Sequence, residues 1–303
     1  TSGSTIKHCQ DTAISLSKNK GDWCIGLRSK NKIEAKMVIV TPCNFSPGIP
    51  VQLKKVVSHP AIYSNPWDVT QFLKIPSNGK VLIIGTGLTM SDVTVSLLRD
   101  GPERTITAIS RRGLRPQNQR SHPPDRTLWE TINRPVPAFI ERHGLPKTML
   151  EIFKAFRTDV AELKTKNIEW QVAFDDLRDA AYKIWPSLSL GEKARYFRHL
   201  SAWYDTHRFR LPPQVEKKLA CYQLDGRLRY RAGFLGGCTP KGKSIQVNIR
   251  DRGRSSYTEE KFDAVINCTG PERDPQRSGN PFLKDLIQKG FSTASPFGLG
   301  FEV

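Results

Sequence analysis

The sequence predicts an α/β fold built on a parallel sheet, and three observations carry that prediction. Val81-Leu82-Ile83-Ile84 is an unbroken apolar, largely β-branched run, the composition of a strand buried on both faces. It leads straight into Gly85-Thr86-Gly87 and then into Thr89 to Arg99, where Met90, Val93, Val95, Leu97 and Leu98 suit a helix packed on a sheet. Two later-closing strands, Ala35 to Thr41 and Asp263 to Thr269, resemble each other and both end in threonine.

Strand, glycine turn and helix in that order aim a helix N-terminus at a pyrophosphate, the arrangement of a Rossmann-like nucleotide-binding unit. Gly85 permits the tight turn, and Gly87 lets backbone approach phosphate with no Cβ between them. The third glycine of the fingerprint is replaced, because Met90 and then Ser91 stand where it would close. The cofactor-binding residues expected here are Gly85, Thr86, Gly87, Leu88, Thr89, Ser91 and Asp92. The competing reading is a plain strand-to-helix turn.

Arg104 to Ser110 forms the next β-rich run, about 20 residues beyond the glycines, where a ribose-recognising residue sits. An NAD site would carry Asp or Glu there, but this chain has Ser110-Arg111-Arg112. A hydroxyl and two guanidiniums suit a 2′-phosphate, since arginine pairs bidentately with phosphate and stays charged. NADP is therefore the expected nucleotide, against the alternative of a solvated basic turn.

Residues about 1 to 50 open without a strand and glycine turn of their own. Trp23 to Leu27 and Ile33 to Val40 read as strands joined by the polar Arg28 to Lys32 turn. The pattern recurs at Ile245 to Arg250 and at Phe262 to Thr269, so β-hairpin layers are expected to return to a sheet. Between lies an excursion from about Arg115 to Leu224 with helical patterning. Thr148 to Lys164 has apolar residues at helical spacing, and Asp175 to Trp185 and Leu190 to Tyr204 read as helices too. This insert either covers the cofactor crevice or caps the sheet. Its densest polar cluster is Arg195, Arg198, His199, Asp205, His207, Arg208 and Arg210. That cluster reads as a basic surface toward phosphate or carboxylate, or as a solvated face with salt bridges. His122 is a lone loop histidine near the nucleotide, and Trp185, Trp203 and Tyr204 read as ring-stacking or core aromatics.

At 303 residues the chain can bury a large core and hold two domains. A formal charge of +18 invites a nucleic-acid or anionic-membrane reading. The Lys and Arg residues are spread along the chain without a basic tail or nucleic-acid motif, which argues against nucleic acid as the main partner. The six cysteines form no CxxC and no metal-ligand spacing, so no metal is expected. No secretory signal or apolar run of spanning length is seen, and a reduced, cytoplasmic compartment is expected. No Ser/His/Asp triad, HExxH or P-loop lysine motif is found, and no catalytic acid or base is named.

Ordered motifs across nearly the whole chain carry a resemblance: "NPWD" (Asn65 to Asp68), "VLIIGTGLTMSDV", "ISRRGLRP", "WPSL", "RHLSAWYDTHRFRLPP", "VINCTGP" and "SPFGLGFEV". The chain resembles the bacterial FAD/NAD(P)-binding proteins of the YdhS type, which are two-dinucleotide-domain flavoproteins. That resemblance implies a split FAD domain with an NADPH domain inserted, and a flavin reduced by NADPH. It names no substrate, electron acceptor or oligomeric state. The domains it implies are a partial FAD-type domain and linker at 1–75, an NAD(P)-binding domain at 76–275 with the insert at about 115–224, and a return toward the FAD-type domain at 276–303. It also implies an earlier FAD-binding GxGxxG and a later segment, so the portion here is expected to lack the N- and C-terminal FAD-binding parts, and FAD is expected in the complete protein. In such proteins strands ending in "ATG" close each sheet: Thr269-Gly270 keeps the ending and joins the expected cofactor set, while Thr41-Pro42-Cys43 departs from it. Flavin chemistry itself needs no protein triad. The alternative is a non-catalytic nucleotide-binding or interaction module left after loss of the flavin parts, with a basic nucleic-acid-binding protein as a third class.

Overall fold

The structure is a computed structural model and describes residues 3, 5–42, 44–121 and 135–302. The chain divides into two compact units, Thr1–Gly48 with Pro271–Val303, and Ile49–Gly270.

The larger unit is built on a seven-stranded sheet. Its strands are β4 (Ile62–Tyr63), β5 (Lys80–Ile84), β6 (Thr105–Ser110), β7 (Leu228–Lys241), β8 (Ser244–Asp251), β9 (Thr258–Phe262) and β10 (Ala264–Asn267). Their spatial order is β4-β10-β5-β6-β7-β8-β9. Pairing is parallel from β4 through the first part of β7, then antiparallel across β7, β8 and β9. Helix α1 (Leu88–Asp100) connects β5 to β6. The sheet is covered on both faces, which explains the unbroken apolar run of β5. Val81 and Ile83 join a cluster with Met90 and Leu97 of α1, whereas Leu82 and Ile84 join one with Val247, Ile249 and Phe262 of the antiparallel layer. Period-two alternation thus divides one strand between two cores.

The excursion after β6 contains α2 (Ala138–His143), α3 (Met149–Thr165), α4 (Gln171–Ser187), α5 (Leu190–His199), α6 (Ser201–Arg208) and α7 (Pro213–Leu224). Thr148 caps α3 by accepting the Glu151 N–H at 3.2 Å, the interaction its residue type favours. Phe139, Met149, Ala180, Ile184 and Leu188 form a separate helical core. Helix α7 leaves that core, and its Leu219 packs in the sheet cluster with α1. Two sequence expectations are corrected in these helices. The expected helix Asp175 to Trp185 is longer at both ends, running Gln171–Ser187 with Pro186 inside its last turn. The expected helix Leu190 to Tyr204 is two helices, because Leu200 ends α5 and caps α6, and the Ser201 hydroxyl bonds the Phe197 carbonyl at 3.0 Å in competition with the helical ladder.

The smaller unit holds the antiparallel sheet β1 (Ala13–Asn19), β2 (Asp22–Leu27) and β3 (Lys32–Ala35), and α8 (Pro281–Gln288). Leu16, Phe282, Leu283 and Leu286 form its core. Asn280 caps α8, accepting from the N–H groups of Phe282 and Leu283. The expected strand ending Met37 to Thr41 is corrected: β3 stops at Ala35, and Met37 and Ile39 are exposed. β-Branched composition alone does not make a strand when no neighbour supplies the ladder. Cys43 and His122 lie outside the described residues. Among the described residues, no helix is long and apolar enough to cross a membrane.

Candidate functional site

The carboxyl ends of β10, β5 and β6 lie side by side, since Cys268 N–H bonds the Ile84 carbonyl and Gly85 N–H bonds the Ile109 carbonyl, each at 2.8 Å. This brings together the Gly85-Thr86-Gly87 turn, Ser110 and the Thr269-Gly270 segment. The chain runs outward from β5 to β6 on one side, while β10 lies on the other. Such a change of direction leaves a crevice at strand carboxyl ends in open α/β sheets.

The two glycines are there for different reasons. Gly85 has φ +110°, and a Cβ on it would sit 2.3 Å from the Cys268 carbonyl oxygen. It is required by the turn and by the backbone of β10. Gly87 is exposed, and a Cβ there would meet nothing within 4 Å. It forms the N-cap of α1, where no side chain bonds the first N–H groups. A bare glycine over the positive end of a 13-residue helix is an accessible anion-binding surface.

Of the remaining residues expected at this turn, Leu88 and Thr89 are half-buried and Asp92 is exposed. Partial desolvation lifts the Asp92 carboxyl above its ordinary value. Ser91 is turned inward, 1% exposed, with its hydroxyl on the Gly87 carbonyl at 3.3 Å. Met90, at the third glycine position, is fully buried in the core.

Thr86 and Ser110 lock the two strand ends together. Thr86 Oγ1 is 2.9 Å from Ser110 Oγ and also bonds the Leu114 carbonyl, while the Gly113 N–H donates to Ser110 Oγ at 3.0 Å. Each hydroxyl has one proton. The set is satisfied when Ser110 donates to Thr86 and Thr86 donates to Leu114, so the turn itself employs both hydroxyls. Arg111 is exposed, and Arg112 directs Nη2 to the Arg198 carbonyl at 3.5 Å in the last turn of α5. Neither has a carboxylate partner among the described residues, which leaves two guanidiniums beside the strand end.

Across the crevice, fully buried Asn267 accepts the Thr269 hydroxyl at 2.8 Å and donates to the Ser64 carbonyl at 3.4 Å. Gly270 has φ +90° with open space where a Cβ would lie. Cys268 is buried, and desolvation pushes its thiol far above the ordinary range, so it acts as a small apolar residue here.

The insert cluster is not gathered at this crevice as a unit. Arg195 pairs with Glu192 at 2.5 Å, and Arg210 pairs with Asp175 at 2.9 Å while lying over Trp170 and Phe174. His207 stacks on Phe174 and bonds the Trp203 carbonyl at 2.7 Å. Arg198 and His199 are exposed. Trp185 and Tyr196 make an edge contact inside the helical core, whereas Trp203 is exposed. Sequence reasoning missed Asn267 and the basic Arg252-Gly253-Arg254 turn. The latter adjoins the Arg111–Gly113 turn through Ala232. Its signal, a glycine flanked by arginines between two strands, is legible, but its position depends on register. Among the described residues, no group of three or more His, Cys, Asp or Glu is placed to hold a metal ion.

No family model matches the chain, and no curated protein matches it. Solved structures do match. The reduced form of an ornithine hydroxylase from Pseudomonas aeruginosa is 16% identical with a TM-score of 0.51, covering 92% of this chain and 56% of that one. L-lysine 6-monooxygenase from Pseudomonas syringae is 13% identical with a TM-score of 0.55, covering 95% and 58%. An ornithine N-hydroxylase from Kutzneria sp. 744, solved with reduced FAD, NADP+ and L-ornithine, is 13% identical with a TM-score of 0.54, covering 92% and 57%. The chain spans somewhat more than half the length of these proteins. At such identities the likeness is one of fold: a mixed α/β, Rossmann-like architecture.

Proposed function

We propose that this chain is the nucleotide-binding part of an NADPH-dependent flavoprotein oxidoreductase of the YdhS type. The observation that carries the reading is the open N-terminus of α1 at Gly87, without a side-chain cap. It lies at the end of the sheet where β10 leads to Gly270 and β6 to Arg111 and Arg112, two arginines with no ion pair among the described residues. A dinucleotide fits these residues. Backbone N–H groups from Gly87 to Thr89 would hold the pyrophosphate, with Gly85 shaping the turn and Thr86 tying it to β6. Arg111 and Arg112 would pair with the 2′-phosphate. Ser110, whose hydroxyl is used within its own turn, would position those arginines. Thr269 and Gly270 would line the far wall.

In the domain assignment proposed, NADPH binding and the insert at about 115–224 belong to the larger unit 49–270, which takes in the 49–75 stretch expected with the FAD-type part, and 1–48 with 271–303 belong to a FAD-type domain. A bound nicotinamide supplies a hydride and a flavin relays the electrons. The chain's own residues bind and orient the nucleotide, and none is assigned as acid or base. Support comes from the fold shared with an enzyme solved with reduced FAD and NADP+.

The intact gene product is expected to purify yellow and to bleach when NADPH is added without oxygen. A colourless protein that still binds NADPH would favour a non-catalytic nucleotide-binding module. Salt-sensitive binding to random DNA without nucleotide affinity would favour a nucleic-acid protein.

A further inference from the structure

The turn between β8 and β9 borders a shallow, solvent-open depression lined by Arg252, Gly253, Arg254, Ser255 and Ser256. Its place in the sheet gives it meaning. Ser110 at the end of β6 pairs with Ala232 of β7. A Cβ on Gly113 would lie 3.0 Å from that of Ala232, and the Arg252 N–H bonds the Ala232 carbonyl at 2.9 Å. Ala232 is therefore the shared neighbour of the Arg111–Gly113 turn and the Arg252–Ser256 turn.

The second turn is held in shape from below. The Arg250 guanidinium lies over Phe234 at 4.7 Å and Tyr257 at 5.6 Å, and donates to the Arg254 carbonyl at 3.1 Å. Gly253 takes φ +84°, which the reversal requires. The nearest carboxylate, Asp251, is engaged by Arg231, which also bonds Glu260. Arg252 and Arg254 form no ion pair among the described residues. Four guanidiniums thus stand on two adjoining turns, none of them in an ion pair among the described residues. Arg254 nonetheless lies close enough to help lower Asp251, and the hydroxyls of Ser255 and Ser256 stand beside the arginines.

We infer that the β8–β9 turn is a second wall of the phosphate site, with Arg252 and Arg254 binding the 2′-phosphate of NADPH opposite Arg111 and Arg112. This rests on the nucleotide-binding reading above and adds a specificity-determining element from the antiparallel layer. A dianionic phosphate accepts several charge-assisted hydrogen bonds at once, and arginine is shaped to supply them in pairs.

The test is calorimetric titration of the chain and its R252Q/R254Q variant with 2′,5′-ADP, 5′-AMP, NADPH and NADH at fixed salt. Both positions are exposed, and circular dichroism checks that the fold is kept. The expected result is a loss of about ten- to hundredfold for 2′,5′-ADP and NADPH, the worth of one or two charged hydrogen bonds, with 5′-AMP and NADH within about twofold. Unchanged affinities, or equal losses for all four ligands, would overturn the inference while leaving the nucleotide reading intact. If the unaltered chain binds none of the four, or does not prefer 2′,5′-ADP to 5′-AMP, the underlying reading fails and this inference with it.

Discussion

Replacing Gly85 and Gly87 separately by alanine should separate folding from binding. At Gly85 the added methyl would sit 2.3 Å from the Cys268 oxygen and 2.8 Å from its carbon. Backbone of a central strand cannot give way as the end of a flexible side chain would. Overpacking costs about 1–3 kcal/mol, and a φ of +110° adds roughly 1–2 kcal/mol for a residue with a Cβ. Gly85→Ala should therefore cost about 2–5 kcal/mol, a large part of a typical domain's stability. At Gly87 the methyl meets no atom and φ is −87°. The weaker N-cap preference of alanine and its lower unfolded-state entropy nearly cancel, leaving a change within about 1 kcal/mol. That methyl nevertheless stands over the N–H groups assigned to the pyrophosphate, so NADPH and NADH should both weaken at least about tenfold, roughly 1.4 kcal/mol. Urea unfolding gives the stability difference and titration calorimetry the affinities. Gly87→Ala protein that binds both nucleotides like the parent would refute the pyrophosphate assignment. Gly87→Ala protein as unstable as Gly85→Ala would refute the division of roles.

Other substitutions test neighbouring elements. Replacing Arg111 and Arg112 together by glutamine should weaken NADPH about ten- to hundredfold and leave NADH nearly unchanged; equal losses, read by fluorescence titration, would reduce both to a general field. Arg104 is buried and donates to the carbonyls of Leu97, Ile75, Pro76 and Phe72. Arg104→Met strands those acceptors and should cost about 2–4 kcal/mol in urea melts, with a loss under 1 kcal/mol counting against the staple. In the antiparallel layer, burial raises the Glu260 carboxyl, but hydrogen bonds from Arg231 and Lys80 outweigh it and hold it below its ordinary value. The Arg231 hydrogen bond likewise lowers Asp251. Both contribute stability above the ordinary carboxylate range and lose it as pH falls through their lowered values. Wild-type stability should consequently drop more steeply between neutral and acid pH than that of Arg231→Met, and parallel pH profiles would contradict this.

The β5–Gly–α1 unit was legible because its signals are local: an apolar run, a glycine turn and a helix of matching period. Helix α3 was legible for the same reason, with Thr148 as its cap. What escaped was long-range. The apolar run Met37 to Val40 has strand composition yet no ladder partner, and a single helical pattern over 190–204 hid the break at Leu200. Helix α7 went unmarked inside the excursion because only its packing on α1 distinguishes it. At the site, the types and order of the glycines and arginines were readable. That Ser110 and Thr86 occupy one another, and that Ser91 faces inward, follows from side-chain directions that spacing does not encode. The Arg252 turn is about 140 residues from Arg111 in sequence and becomes its neighbour only through the β6–β7–β8 register.

The central claim is that the crevice at the ends of β10, β5 and β6 holds NADPH, and equilibrium titration of the unaltered chain tests it most directly. One NADPH per chain, bound at least about tenfold more tightly than NADH, is the result predicted. No binding of either nucleotide, or equal affinity for both, would contradict it.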